Sequence, residues 1–67
     1  MDIVISFEEG QWFSTNWTRH YIERCYPTRE TCRVINYIAY GDPKPSWMGF
    51  VEIADRIRDR RWKRCAR

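Results

Sequence analysis

The side chains best suited to chemistry in this sequence are one histidine and three cysteines. His20, Cys25, Cys32 and Cys65 together make a Cys₃His set, which is the composition of many structural zinc sites. Their spacing does not match a zinc knuckle, which usually begins with two closely spaced cysteines. Cys25 and Cys32 fall on apolar faces of the predicted elements, where cysteine behaves as a small hydrophobic residue. The sequence therefore predicts no metal site and no cofactor.

Catalytic groups are scarce. His20 is the single histidine, and it falls on a polar face, where a solvated or hydrogen-bonded role is typical. The sequence contains no nucleophile motif, no glycine-rich phosphate loop and no close pair of carboxylates among apolar residues. We predict that the protein is not an enzyme and acts by binding.

Basic side chains concentrate toward the C-terminal end. Residues 1–10 contain three acidic and no basic side chains, whereas residues 46–67 contain seven basic and three acidic ones, a net charge of +4. Such asymmetry favours an anionic partner, either nucleic acid or an acidic protein surface. A solvated helix end is the simpler alternative.

Length and composition indicate one small domain, residues 1–67. Hydrophobic residues make up 43% of the chain and aromatic residues 16%, which is enough for a compact core. No apolar run is long enough to span a membrane, and the first residues lack the basic region of a signal peptide. The odd number of cysteines favours reduced thiols and a cytoplasmic location.

Hydrophobic periodicity predicts a mainly α fold, with a short N-terminal extended segment followed by a three-helix domain. Residues 1–10 form the arm, with residues 3–7 extended by their alternation. The apolar arcs predict helices over residues 16–26, 29–40 and 47–64. The second span is ambiguous because its β-branched and aromatic residues favour strands, but the helical reading gathers its apolar side chains on one arc.

Residues 16–41 have the spacing of a helix-turn-helix, in which two helices are separated by the tight break Tyr26-Pro27-Thr28. The segment 25–38, Cys-Tyr-Pro-Thr-Arg-Glu-Thr-Cys-Arg-Val-Ile-Asn-Tyr-Ile, resembles the turn and recognition helix of phage excisionases and related small regulators. Trp12-Phe13-Ser14 resembles the opening of that family, so the similarity covers residues 12–41. The resemblance implies a DNA-binding or architectural protein of phage or mobile-element type. The wing that excisionases carry is missing, because a predicted helix follows almost at once.

Double-stranded DNA is the partner that this resemblance implies, with the second predicted helix in the major groove and the basic C-terminal helix, residues 46–67, along the backbone. The residues predicted to contact base edges are Arg29, Arg33 and Asn36. The residues predicted to contact phosphate or sugar are Tyr37, Tyr40, Lys44, Arg56, Arg60, Lys63 and Arg64.

A protein partner is the alternative from a different class. Small aromatic-rich domains of this kind include phage inhibitors that dock on a host protein complex, and Trp, Tyr and Arg are enriched at interface hot spots. The patch predicted for this role, beside arginine residues, comprises Trp12, Phe13, Tyr37, Tyr40 and Trp62. Core packing is the simpler role for any aromatic residue, and it is expected more for Trp17, Trp47 and Phe50 than for Trp62. An ordinary three-helix core without DNA function also stays open.

Overall fold

A computed structural model describes residues 7–66 of the chain. These residues form a five-stranded antiparallel sheet and one short helix, so the predicted three-helix fold is wrong. The elements are β1 (Trp12–Ser14), β2 (Thr18–Tyr26), β3 (Thr31–Ile38), β4 (Lys44–Gly49), α1 (Phe50–Arg58) and β5 (Lys63–Cys65). The strand order is β4-β3-β2-β1-β5, so the final short strand returns to pair with β1.

The second predicted helix, residues 29–40, is replaced by β3, which pairs with β2 on one side and β4 on the other. The helix-turn-helix is therefore wrong, and the recognition-helix geometry is lost with it. Strand propensity prevailed because residues 31–38 are rich in β-branched and aromatic side chains. The alternation was obscured because Val34 and its neighbour Ile35 point to opposite faces of β3 and are both buried, Val34 in the core and Ile35 among aromatic side chains of the other face.

The first predicted helix, residues 16–26, is replaced by β2, whose pairing with β3 shifts register at Glu23. A bulge inserts one extra residue into a strand and changes which side chains share a face. Ile22 and Cys25 consequently both point toward the core although they are three residues apart. That spacing mimics a helical repeat and explains the wrong prediction.

The third predicted helix, residues 47–64, is helical only over Phe50–Arg58, and its two ends belong to β4 and β5. Ser46, directly before the predicted span, lies within β4, and Gly49 is the N-cap residue. The N–H of Phe50 donates to the carbonyl of Glu30, which ties the start of α1 to the β2–β3 turn. After α1 the chain reverses, because the backbone N–H groups of Arg61 and Trp62 both donate to the carbonyl of Arg56.

The core lies between α1 and one face of the sheet. It consists of Phe13, Ile22, Cys32, Val34, Met48, Ile53 and Trp62. Trp62 closes one side of this core, with its ring 5.5 Å from that of Phe13 and 4.4 Å from that of His20. The expected ranking of tryptophans is wrong: Trp62 is 4% exposed, whereas Trp17 and Trp47 are 80% and 59% exposed.

The predicted N-terminal arm is described only from Phe7 to Gly10. Phe7 packs edge-on against Phe50 at 5.5 Å, and Gly10 takes a φ of 87° in the turn before β1, a conformation that glycine adopts without strain. Residues 1–6, with most of the segment predicted to be extended, lie outside the described residues. Within residues 7–66, no helix has the length and apolar character needed to cross a membrane.

Candidate binding surface on the open face of the sheet

The face of the sheet opposite α1 carries a cluster of aromatic rings. Strand alternation places Trp12, Tyr21, Ile35 and Tyr37 on this side. The Trp12 ring lies 4.7 Å from that of Tyr21 and 5.3 Å from that of Tyr37, and these rings flank Ile35, which is 9% exposed. No helix or strand of residues 7–66 covers this side, which we call the open face.

A second pair of rings extends the open face toward the β2–β3 turn. Tyr26 and Trp47 approach to 5.4 Å between ring centroids. Trp47 stays largely exposed because β4 is an edge strand of the sheet. The aromatic side chains therefore run along the open face from β1 to the end of the β2–β3 hairpin.

Arginine side chains lie between the two aromatic groups. Arg24 and Arg33 are directly opposite each other on β2 and β3, an arrangement that is unfavourable for like charges. The bulge residue Glu23 offsets it, with Oε1 3.3 Å from the Nε atom of Arg33. That Nε atom is buried without an aligned hydrogen bond, so the contact is an ion pair. Arg19 and Lys63 also face this side from β2 and β5. Among residues 7–66, the open face therefore holds the cationic side chains of Arg19, Arg24, Arg33 and Lys63 and the carboxylate of Glu23.

A polar cleft of about 590 Å³ adjoins the open face at the β1–β2 turn. It is lined by Ser14, Thr15, Asn16, Arg60, Arg61 and Lys63. Arg61 is partly neutralised by Asp59, whose Oδ2 accepts its hydrogen bond at 3.1 Å. A second groove, of about 430 Å³, lies on the other side of the same turn and includes Trp17, Arg19 and Tyr37 in its lining. Hydroxyl, amide and cationic groups in one cleft can donate hydrogen bonds to phosphate oxygens.

Four of the residues predicted for DNA binding are brought together. Arg33 and Tyr37 lie on the open face, Lys63 lies on β5 beside it, and Arg60 lines the adjoining cleft. Their common surface comes from strand alternation and the return of β5, whereas the predicted helix face does not exist.

The other predicted residues lie elsewhere. Arg29 is in the β2–β3 turn, and Tyr40, which is 98% exposed, follows β3. The register of β4 and β5 directs Lys44 and Arg64 toward the side that α1 covers. Arg56 lies on α1, 3.5 Å from Glu52 and 6.0 Å above the Trp62 ring.

Asn36 is partly buried, and its amide is held by side chains and backbone of the sheet. Its Nδ2 donates to the carbonyl of Lys44 and to Oγ of Ser46, both at 3.0 Å, and its Oδ1 is 2.6 Å from Nδ1 of His20. With these partners the amide connects β2, β3 and β4, and it is not presented to a base edge.

His20 is a packing residue between the sheet and α1. Its ring stacks on Trp62 at 4.4 Å with an interplanar angle of 11°. Burial lowers the pKa of His20, an effect that the Asn36 hydrogen bond opposes and that the positive charge of Arg56 reinforces. Among residues 7–66, no three His, Cys, Asp or Glu side chains group closely enough to hold a metal ion.

The aromatic patch predicted for protein docking is divided by the fold. Phe13 and Trp62 are buried in the core, and Tyr40 is separate from the sheet. Trp12 and Tyr37 are in contact on the open face. Sequence reasoning missed Tyr21 and Trp47, because their common surface exists only when β2, β3 and β4 pair. The available signal was the β-branched and aromatic content of residues 31–38, which favours a strand.

No protein-family model matches this chain, and neither a curated protein nor a solved structure shows significant similarity to it. These comparisons neither support nor refute the resemblance to excisionases. The candidate function therefore depends on the chemistry of the open face and the adjoining cleft.

Proposed function

We propose that this chain is a small non-enzymatic regulator that binds single-stranded nucleic acid across the open face. The observation that supports the proposal is the continuity of the Trp12–Tyr21–Tyr37 ring cluster with the cation-lined cleft. Bases stack on aromatic side chains whatever their sequence, while basic side chains follow the backbone.

The width of the sheet favours a single strand over a duplex groove. Five strands at about 4.8 Å spacing place β4 and β5 about 19 Å apart. The major groove is about 12 Å wide and admits a helix or a two-stranded ribbon. A five-stranded face is too broad to enter it, whereas unpaired bases can lie on such a face. Double-stranded DNA remains the sequence-based prediction and serves as the comparison in the test.

The decisive test is a fluorescence anisotropy titration with labelled oligonucleotides of about 12 nucleotides, a length within the usual site size. Single-stranded DNA, single-stranded RNA and the matching DNA duplex are compared at two salt concentrations. We expect tighter binding of a single-stranded oligonucleotide than of the duplex, with affinity falling as salt increases. Absence of binding to all three at tens of micromolar protein and low salt would contradict the proposal.

Tyr37→Ala and Tyr40→Ala form a matched pair for locating the surface. Tyr37 contacts Trp12 on the open face, whereas Tyr40 is almost fully exposed beyond the end of β3. Loss of one stacked base costs about 1–3 kcal/mol, so Tyr37→Ala should raise Kd about 5-fold or more while Tyr40→Ala leaves it unchanged. Circular dichroism checks that both variants fold. Equal losses in the two variants would place the nucleic acid elsewhere.

Docking on a host protein complex, as a phage-type inhibitor would do, is the second candidate. It is favoured by Trp47, a largely exposed tryptophan beside Tyr26 and the Glu23–Arg33 ion pair, because such a mixed aromatic and charged patch is typical of hot spots. In this case Trp47→Ala should abolish a stoichiometric complex with one purified host protein, with Tyr40→Ala as the control. Salt-insensitive binding to that protein, together with no oligonucleotide binding, would favour this candidate over the first.

We propose the cytoplasm as the compartment. Cys25, Cys32 and Cys65 are all free thiols in the structure, and reduced cysteines are typical of that environment. Fractionation of cells that produce the protein, followed by thiol alkylation of the recovered chain, tests both statements together.

A further inference from the structure

Two of the three cysteines lie side by side across the β2–β3 hairpin. Cys25 and Cys32 are direct partners in the strand register, and their Sγ atoms are 2.9 Å apart. Cys32 is fully buried in the core, whereas Cys25 is half-buried. Both sulfurs are on the side of the sheet that α1 covers, so they are separate from the open face.

The backbone geometry of this pair suits a disulfide. The N–H of Cys25 donates to Oε1 of Glu9 at 2.9 Å, so it points away from β3. Cys25 and Cys32 therefore occupy a non-hydrogen-bonded position, where opposing Cα atoms are about 4.5 Å apart and side chains are closest. That separation falls within the range that disulfides span.

We propose that Cys25 and Cys32 form a dithiol site that closes to an intramolecular disulfide by exchange with a small disulfide such as glutathione disulfide. The Cys25 thiolate attacks one sulfur of glutathione disulfide, forms a mixed disulfide and releases one glutathione thiolate. The Cys32 thiol then loses its proton as its sulfur attacks Sγ of Cys25. The second glutathione leaves as a thiolate that accepts a proton, so two protein thiols and one glutathione disulfide give one protein disulfide and two glutathione thiols.

Accessibility determines the order of the two steps. Burial, with a further contribution from the Cys25 hydrogen bond, raises the pKa of the Cys32 thiol to about 12, so Cys32 is a poor nucleophile toward a reagent in solution. Cys25 is the thiol that a small disulfide can reach. Once Cys25 carries glutathione, Cys32 is already in contact with the sulfur that it must attack.

Cys65 provides an internal control. It pairs with Trp12 on β5 and faces the open side of the sheet, so it cannot reach the other two sulfurs in the folded protein. Oxidation of Cys65 by glutathione disulfide should stop at the mixed disulfide.

The test is incubation of the folded full-length chain with glutathione disulfide, followed by acid quenching, alkylation and mass spectrometry. Trypsin cleaves after Arg24, Arg29 and Arg33. The expected product joins peptide 25–29 to peptide 30–33 through a disulfide, and Cys65→Ser should give the same product at the same rate. In Cys32→Ala, glutathione should stay attached to Cys25, whereas Cys25→Ser should leave Cys32 unmodified.

Two results would overturn the proposal. One is a wild-type protein in which Cys25 keeps its glutathione and no link to peptide 30–33 forms. The other is a disulfide that joins Cys65 to either hairpin cysteine as the main product. The wild-type time course alone gives both results, so the test does not depend on the folding of any variant.

Discussion

At the scale of single residues, polar side chains in this protein take their roles from their neighbours in the sheet. Asn36 has the side chain expected of a residue that recognises adenine, yet its amide is hydrogen-bonded to Lys44, Ser46 and His20. An amide that loses its partners on burial costs about 1–3 kcal/mol; Asn36 is partly buried and keeps all three partners, so it is part of the framework.

The pH dependence of stability should reflect His20. Its pKa is lowered in the folded state, so the unfolded chain binds more protons between the folded value and about 6.5. The stability that the neutral ring supplies is fully present above the unfolded pKa, and it is lost as pH falls through this window toward the folded pKa. In urea unfolding, the free energy of unfolding should fall more between about pH 7.5 and about pH 5.5 for the wild type than for His20→Gln. Equal decreases would show that His20 does not titrate between these values.

At the scale of elements, the β2–β3 hairpin organises both the open face and the dithiol. Its register shift at Glu23 places Arg24 and Arg33 opposite each other on the open face, while Cys25 and Cys32 meet on the covered side. Its turn also fixes the start of α1, because Glu30 accepts the hydrogen bond from Phe50. One hairpin therefore positions side chains on both faces of the sheet.

Glu30→Gly should stabilise this turn. Glu30 has a φ of 51°, a left-handed conformation that costs a non-glycine residue about 1–2 kcal/mol. Glycine removes that strain and keeps the carbonyl that Phe50 uses, although its greater freedom in the unfolded chain offsets part of the gain. The net gain in unfolding free energy should be about 0.5–1 kcal/mol, a rise in Tm of about 2–8 °C.

Arg29→Gly is the matched control in the same turn. The left-handed φ values at non-glycine residues within residues 7–66 are those of Glu30 and Arg60, so glycine at Arg29 relieves no strain and should lower Tm. Thermal unfolding followed by circular dichroism measures both variants. A lower Tm for both Glu30→Gly and Arg29→Gly would show that the backbone of Glu30 is not strained in solution.

At the scale of the whole molecule, basic side chains cluster in the segment that leads from α1 back to the sheet. Arg60 and Arg61 follow α1, and with Lys63 of β5 they line the cleft beside Ser14. The core residue Trp62, between them in sequence, anchors this basic segment against Phe13 and His20. The tertiary fold thus brings Arg60, Arg61 and Lys63 next to the aromatic face.

Arg60→Ala should reduce the salt dependence of oligonucleotide binding. Each phosphate contact to a single strand contributes about −0.7 to the slope of log K against log salt, so loss of one contact should make the slope shallower by that amount. Alanine leaves the left-handed φ of 61° at this position equally strained, which separates charge from backbone effects.

Arg58→Ala is the control for Arg60→Ala. Arg58 is the last residue of α1, is paired with Asp55 at 2.6 Å and is not among the residues that line the cleft. The control removes the same formal charge from the chain, so anisotropy titrations over a series of salt concentrations should show no change in its slope. Equal changes in both slopes would indicate a response to net charge rather than a phosphate contact in the cleft.

The sequence by itself determined the composition of the candidate binding surface. It identified the excess of C-terminal cations, the abundance of tryptophan and tyrosine, the turn at Pro27-Thr28 and an apolar arc that includes the helix Phe50–Arg58. These features depend on local side-chain chemistry and on patterns within a single turn or helix, which are visible without knowledge of the partners in space.

Only the tertiary structure decided between strand and helix and between core and surface. The bulge at Glu23 gave Ile22 and Cys25 a helix-like spacing, and burial of both Val34 and Ile35 on opposite faces of β3 hid its alternation. Trp62 entered the core because the chain reverses after α1 and pairs β5 with β1. Each of these outcomes depends on pairing between residues distant in sequence. The backbone hydrogen bonds and buried area that such pairing provides outweigh an apparent helical periodicity in a short chain.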